Sequence, residues 1–470
     1  MLFNSLEYLV FLPAAWIVFW AVPKRKVEAL LVASYVFYAS WSIPYAAMIF
    51  GLVVVNFLFG LALGRATRSR KLMLATFIAF DLGVLALFKY FDFAITSFAT
   101  GTNALLGLQW DPPLLKLVLP LGISFFTFEF IHYLVDIYRG DLPVHSFSKF
   151  HVFAAFFPTQ IAGPIKRFQQ FVPSLVTLGR FDPALAREGL WLIGRGLGKK
   201  VLLADRLAPI ATAGFSTASG GAMGTGEAWL TALAFWLQIY FDFSGYTDIA
   251  RGSAALFGFR IPINFDAPYL ATSLTDFWHR WHISLSTWLR DYVYIPLGGS
   301  RVPKPVVLRN LMITLLLGGL WHGAAWHFVA WGGLWGIGLS VQHVLRGRIA
   351  LPRTLPLLVL GWMFTQLFVV ASFVLFRAET FQVAGVMLSA MAGRGTEIGL
   401  QSIARMLFVG GTAAGLILVS LAGRTTWRPR VPMPTGALRP MLYGASAALV
   451  ILIASAAIST ERQVFIYFQF

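Results

Sequence analysis

Apolar stretches of membrane-spanning length, separated by short basic clusters, set the pattern of this chain. A transmembrane helix needs about 20 apolar residues. Such stretches lie near 6–22, 27–41, 43–63, 72–90, 114–137, 188–212, 228–257, 307–321, 325–345, 354–376, 400–422 and 440–459. Residues 151–165 and 262–300 read as re-entrant or interfacial pieces. The pattern predicts an all-α polytopic integral membrane protein with roughly a dozen transmembrane helices. No polar stretch is long enough for a separate soluble domain, so residues 1–470 read as a single membrane domain. No internal repeat is visible, whereas many transporters are built from repeated halves.

Basic clusters give an expected orientation, because short cytoplasmic loops carry the excess of Lys and Arg. Lys24 to Lys26, Arg65 to Lys71, Lys166-Arg167, Arg195 to Lys200, Arg301 to Arg309, Arg346 to Arg353 and Arg424 to Arg430 are all expected inside. Two spans fit between successive early clusters, which puts the N-terminus outside. One span after Arg430, at 440–459, carries the tail TERQVFIYFQF (460–470) outside as well. The first helix has no basic leader, carries Glu7 and is followed by Lys24-Arg25-Lys26. It is expected to be an uncleaved span.

One limb breaks the pattern. From Asn310 to Trp321 the chain has 12 residues, or about 18 Å of helix, against a hydrocarbon core of about 30 Å. His322, flanked by Gly318, Gly319 and Gly323, is therefore expected at a helix break well inside the membrane. Irregular backbone at that depth must line a protein-enclosed or watery cavity. An ionisable group there marks a functional site by default.

Composition sharpens this picture. Hydrophobic residues make up 58% and charged residues 12%, against roughly 45–50% and 25% in soluble chains. The 37 Lys+Arg against 20 Asp+Glu leave a charge of +17. That excess sits in short loops between apolar spans and not on a folded basic domain, so it argues for membrane orientation, not nucleic-acid binding. There is no cysteine, which removes disulfides, thiol nucleophiles and thiolate metal sites. Any covalent relay within the chain must use oxygen or nitrogen.

Four of the eight histidines fall within 49 residues: His279, His282, His322 and His327. The first pair lies in DFWHRWHISLSTWLRDYVYIPLGG (276–299). Helical spacing puts Asp276, His279 and Arg280 on one face and Trp278, His282 and Leu285 on another. An aromatic-basic segment suits a membrane interface, yet that does not explain the small polar ring of His282. A neutral imidazole is a natural general base for a hydroxyl, which makes His322 the catalytic candidate. The spacings His279-x2-His282 and His322-x4-His327 match no zinc pattern. There is no G-x-S-x-G elbow and no P-loop. Asp81, Glu129, Asp136, Asp205, Asp242 and Asp248 lie in apolar surroundings, where a carboxylate must face protein or a cavity. Pairing with arginines such as Arg251 is the expected state of Asp242 and Asp248.

FFPTQIAGPIKRF (156–168), GRGLGKKVLLADRLAP (194–209), QIYFDFSGYTDIARGSAALFGFRIPINFDAPY (238–269), DFWHRWHISLSTWLRDYVYIPLGGSR (276–301) and GLWHGAAWHFVAWGGLWG (319–336) together resemble the membrane-bound O-acyltransferase family. The resemblance is to its bacterial polysaccharide branch, typified by the membrane subunit of alginate O-acetylation. It runs along the whole chain and is firmest between 156 and 336. It implies helices around a central tunnel, with His322 of the WHG motif as the catalytic residue at the narrow waist. His282 falls on the second characteristic position, as a donor-positioning or oxyanion-stabilising partner. Trp321, Asp276, Trp278, Arg280, Trp281 and Asp242 are the tunnel or donor-site candidates. The donor would be acetyl-CoA or another acyl thioester carrier, approaching from the cytoplasm, with no bound cofactor and no metal. The acceptor would be an exported polysaccharide such as alginate, reached with an exported hydrolase-like acetyltransferase as partner. The place would be the bacterial inner membrane, among its lipids. FIYFQF (465–470) resembles a terminal motif whose tyrosine is proposed to carry the acyl group, which makes Tyr467 the candidate relay. The rival from another class is a transporter of a polar solute or lipid-linked sugar.

Overall fold

The computed structural model describes residues 1–177, 179–346, 354–395, 403–424 and 465. The described residues form helices joined by short loops, without a β-sheet. The N-terminal half contains α1 (Leu6–Ala21), α2 (Lys26–Ala39), α3 (Ile43–Arg65), α4 (Arg70–Leu85), α5 (Phe91–Leu106), α6 (Ile123–Arg139), α7 (Phe147–Ala155), α8 (Phe168–Val176), α9 (Pro183–Leu197) and α10 (Asp205–Ser219). The long α11 (Thr225–Leu256) follows, then two short helices of seven residues each, α12 (Leu274–Arg280) and α13 (Ile283–Leu289). The chain continues through α14 (Lys304–His322), α15 (Trp326–Arg346), α16 (Leu355–Arg377), α17 (Phe381–Ser389) and α18 (Ile403–Arg424). Wide π turns join α4 to α5 at Ala86–Tyr90 and α9 to α10 at Gly198–Ala204.

Among the described residues, five helical segments are long and apolar enough to cross a membrane: Ile43–Arg65, Arg70–Leu106, Lys304–His322, Trp326–Arg346 and Leu355–Arg377. Leu6–Ala21 and Arg405–Ser420 are apolar but shorter. The expected class therefore stands, while the expected number of spans is larger than these five. Several apolar stretches are instead buried as irregular or broken pieces. The whole of 150–166 is buried although its second half is not helical, the only way such backbone is tolerated at membrane depth. The expected span 440–459 lies outside the described residues.

Side-chain packing divides into two cores. One gathers α1–α4 and α6–α8 and extends to Leu285, Trp288, Leu289 and Trp321. The other gathers α10, the first half of α11 and α15–α17, with Phe277 and Trp281 of the α12 corner. Helix α11, 32 residues and about 48 Å long, runs through both. Its Phe241 belongs to the second core and its Tyr246 to the first.

Glycines set the closest helix contacts. A Cβ on Gly196 would lie 2.5 Å from the Gly245 carbonyl, and one on Gly252 2.4 Å from that of Gly189. Helices α9 and α11 thus meet backbone to backbone, as small residues permit. The α14–α15 hairpin repeats the device, because a Cβ on Gly319 would lie 2.2 Å from the Phe328 carbonyl.

Two basic clusters are not the loops their sequence suggested. Arg195, Lys199 and Lys200 lie within the α9 to α10 helix and pair with acids of α11 and α10. Arg195 and Lys199 hold Asp248 at 2.6 and 2.7 Å, and Lys200 holds Asp242 at 2.6 Å and Asp205 at 2.9 Å. Lys166 is 2% exposed and donates to Glu129 at 2.6 Å. Buried cations need partners, and of the acids that supply them only Asp205 is near its partner in sequence.

A candidate active site at the seam between two cores

The two histidines singled out by sequence both fall where the cores meet. His282 stands between Trp281 of one core and Leu285 of the other. His322 stands between Trp321 of the first and Phe328 of the second. A segment that must satisfy two cores at once turns sharply, and both residues sit at such turns.

His322 is the last residue of α14, which starts after Pro303 with Pro305 in its first turn. The limb is therefore 19 residues, about 28 Å, and not the 12 counted from Asn310. Arg309 lies inside the helix and does not mark its start, so limb length alone does not fix the depth of His322. The helix ends because Gly323 is extended (φ −167°, ψ 153°), and a Cβ there would strike the Phe328 ring at 2.1 Å. His322 is 6% exposed, with the rings of Trp321, Trp331 and Phe376 at 4.9, 5.3 and 5.2 Å.

His282 is fully buried and has left-handed backbone (φ 43°, ψ 52°). That conformation costs a non-glycine residue on the order of 1–3 kcal/mol. The surroundings impose it. The Asn264 carbonyl accepts from the Ile283 N–H at 3.0 Å, and Asn264 Oδ1 accepts from the Ser284 hydroxyl at 2.6 Å. The Ser284 hydroxyl oxygen in turn accepts from the Ile165 N–H at 3.1 Å. Three segments distant in sequence thus pin one corner. Burial pushes the His282 imidazole down to about 3, so the ring is neutral at physiological pH.

Trp321 joins the two imidazoles. Its indole meets His282 edge-on at 6.0 Å and His322 edge-on at 4.9 Å. A stack of Trp288, Phe128 and Trp321, with centroids 3.8 and 5.3 Å apart, holds it in place. Beside Trp321 and His322 lies a cavity of about 110 Å³ whose wall includes Lys89, Gly122, Ser124, Phe125 and Ala162. A second, wider cavity of about 860 Å³ shares Lys89 and continues past Asp92, Ser97, Trp326, His327 and Glu379.

Lys89 and Asn264 are the residues that reading the sequence missed. Lys89 lies in the π turn between α4 and α5 and donates to the Trp321 carbonyl, with the His322 carbonyl at 3.5 Å. The neighbouring Tyr90 hydroxyl donates to the Leu320 carbonyl at 3.0 Å. The unpaired carbonyls at the end of α14 are thus capped by a cation, which also suits the negative end of the helix dipole. A lone lysine inside the apolar stretch 72–90 was the available signal, since intramembrane charges are rarely idle. Asn264 left no such signal.

The remaining sequence candidates divide. Trp278 lies one ring removed, 6.0 Å from Trp331, which itself touches His322. Trp281 is core packing among Trp236, Phe265 and Phe277. Asp276 accepts from Arg280 at 2.8 Å and from the Thr272 N–H at 3.2 Å, while Arg280 also reaches Asp266 at 3.6 Å. That pair closes the α12 turn, and neither residue lines either cavity. Asp242 is bound to Lys200 and does not pair with Arg251. No metal-holding group of acids and histidines occurs among the described residues. Tyr467 lies outside the described residues.

Fold and site together define a multi-pass membrane protein with two buried histidines against one indole, which borders a cavity with one of them. The model of the membrane-bound O-acyltransferase family matches residues 138–381, which contain both histidines and the α14–α15 hairpin. The chain is 43% identical over 407 residues to a probable alginate O-acetylase of Pseudomonas aeruginosa, covering 84% of this chain and 76% of that one. It is 36% identical over 403 residues to a peptidoglycan O-acetyltransferase of Helicobacter pylori, covering 77% and 73%. A teichoic acid D-alanyltransferase of Streptococcus thermophilus is 30% identical over 236 residues, covering 47% and 56%. The chain belongs to the membrane-bound O-acyltransferase family. It is an O-acyltransferase, which sets the transporter alternative aside.

Proposed function

We propose that this protein moves an acetyl group from a cytoplasmic thioester, acetyl-CoA or an acyl carrier, through the membrane to an exported polysaccharide such as alginate. The relatives' printed activities on alginate and peptidoglycan support the acceptor class. The observation that carries the chemistry is the meeting of His282, Trp321 and His322 at the seam of the cores, with Trp321 and His322 lining one cavity.

In this reading His322 is the general base. It takes the proton of a hydroxyl, the oxygen attacks the thioester carbonyl, the carbon–sulfur bond breaks, and the thiolate leaves with that proton as free thiol. His282, neutral and fixed by Asn264, orients the donor or the carbonyl oxygen. Lys89 holds the Trp321 and His322 carbonyls. Among the described residues it has a third N–H with no acceptor, which is turned to use by the oxyanion. In this reading the cavity orients the reactants, and its apolar walls limit the water that would hydrolyse the ester. The first hydroxyl is the phenol of Tyr467, and the resulting aryl ester passes the acetyl group onward at the outer face, with an exported hydrolase-like acetyltransferase completing delivery. The protein resides in the bacterial inner membrane with both termini outside.

Intact-mass measurement of purified protein with acetyl-CoA tests this directly. Wild type is expected to gain one acetyl group and release thiol, while His322→Ala does neither and Tyr467→Phe gains no mass. Activity retained by His322→Ala, in protein that is folded, overturns the base assignment.

A further inference from the structure

The terminal motif places one residue within the described structure, and its surroundings are specific. Phe465 is 2% exposed. Its ring meets Tyr246 edge-on at 4.8 Å and lies 4.5 Å from the ammonium of Lys200. Tyr246 is itself stacked on Phe3 at 4.6 Å, so the Phe465 seat is backed by the first core. Lys200 is held at 2.6 Å by Asp242 and at 2.9 Å by Asp205.

We propose that Lys200, fixed between Asp242 and Asp205, is the seat of the C-terminal tail and sets the register at which Tyr467 meets the reaction site. The proposal rests on the relay reading above and adds the residues that make it work.

The electrostatics favour an aromatic guest. Two carboxylates clamp the ammonium from one side, and the face of a ring offers it further negative potential without another buried charge. An aliphatic residue at 465 would fill the space but supply no such attraction. Distance favours the relay. Phe243 stands three residues before Tyr246 on α11, about 4.5 Å along the axis, and its ring meets His282 at 4.7 Å. Two residues of extended chain span up to about 7 Å. The seat is thus on the turn of α11 next to the one whose Phe243 touches His282, and the chain length from Phe465 limits how far from the seat Tyr467 can act. Lys200 acts through the tail and touches no reacting atom, which makes it a positioning residue.

The chain has no cysteine, which allows two tests on the full-length protein. In the first, Tyr246→Cys and Phe465→Cys are combined and treated with a short bifunctional thiol reagent. One bridging linker per chain is expected, and two independently modified thiols would overturn the seat. In the second, acetyl loading of the tail is followed by mass in Phe465→Leu, Phe465→Trp and the charge-balanced pair Lys200→Gln/Asp205→Asn. Phe465→Leu and the pair are expected to load at least tenfold more slowly, with KM for acetyl-CoA within twofold of wild type, while Phe465→Trp stays within threefold. Wild-type loading by Phe465→Leu overturns the proposed register. A bridged tail in a protein whose wild-type form never gains an acetyl group overturns the Tyr467 relay and leaves the seat standing.

Discussion

Around Lys200 buried charges are pressed against opposite ones: Asp242 and Asp205 on Lys200, Asp248 on Arg195 and Lys199. Around His322 the neighbours include the rings of Trp321, Trp331 and Phe376, and the cation Lys89 directs two of its N–H groups to backbone carbonyls. The two regions are joined by one helix, α11, whose Asp242 serves the first and whose Phe243 touches His282 of the second. Both are buried and polar, yet they do different work. Compensated charge fixes how helices sit, because a buried ion left alone is costly. An imidazole beside a cavity can accept and return a proton in the course of a reaction.

The comparison is tested most severely at its centre. His322→Ala is expected to lower acetyl transfer by about 10²–10⁴, the usual worth of a positioned general base. Its melting temperature in detergent should change little. In the charged region the outcome should reverse. Lys166→Met leaves Glu129 buried and alone and is expected to cost about 3–5 kcal/mol of stability, seen as loss of folded protein. Adding Glu129→Leu should recover most of that yield, and a double variant that remains unfolded would show that the pair does more than balance charge. Lys89→Met blurs the boundary between the regions. It frees the carbonyls at the end of α14, and a kcat reduction of about tenfold with folded protein retained is expected if a charge-assisted hydrogen bond worth about 1.5 kcal/mol is lost. A fall in thermal stability with kcat preserved would assign Lys89 to structure alone. The smallest effect belongs to Arg260→Gln. Its pair with Glu188 at 2.9 Å is exposed at both ends, so the change should stay within about 1 kcal/mol in melting experiments.

Much of this was written in the chain. The apolar stretches announced a helical membrane protein; four of the five membrane-length helices fall on stretches read from sequence, and the fifth, Arg70–Leu106, continues beyond the stretch 72–90. His282 and His322 stood out through their motifs and were both brought against one indole. Other readings failed for a common reason. Lys166 and the run Arg195 to Lys200 look like loop cations because their partners, Glu129, Asp248, Asp242 and Asp205, are in some cases dozens of residues away. Asp276 and Arg280 look like site residues because they neighbour His282 in sequence, yet they close their own turn.

Periodicity and composition determined what each segment is, because burial in lipid or protein is a property of a stretch of side chains and reads locally. The absence of cysteine likewise fixed which atoms are available for a covalent relay. Tertiary structure alone decided which charges cancel, that Lys89 caps the helix ending at His322, and that Asn264 bends the chain at His282. It also brought Phe465 against Lys200. Each of these is a contact between groups far apart in the chain, set by how two separate cores close on one another, and no local pattern of residues encodes that distance.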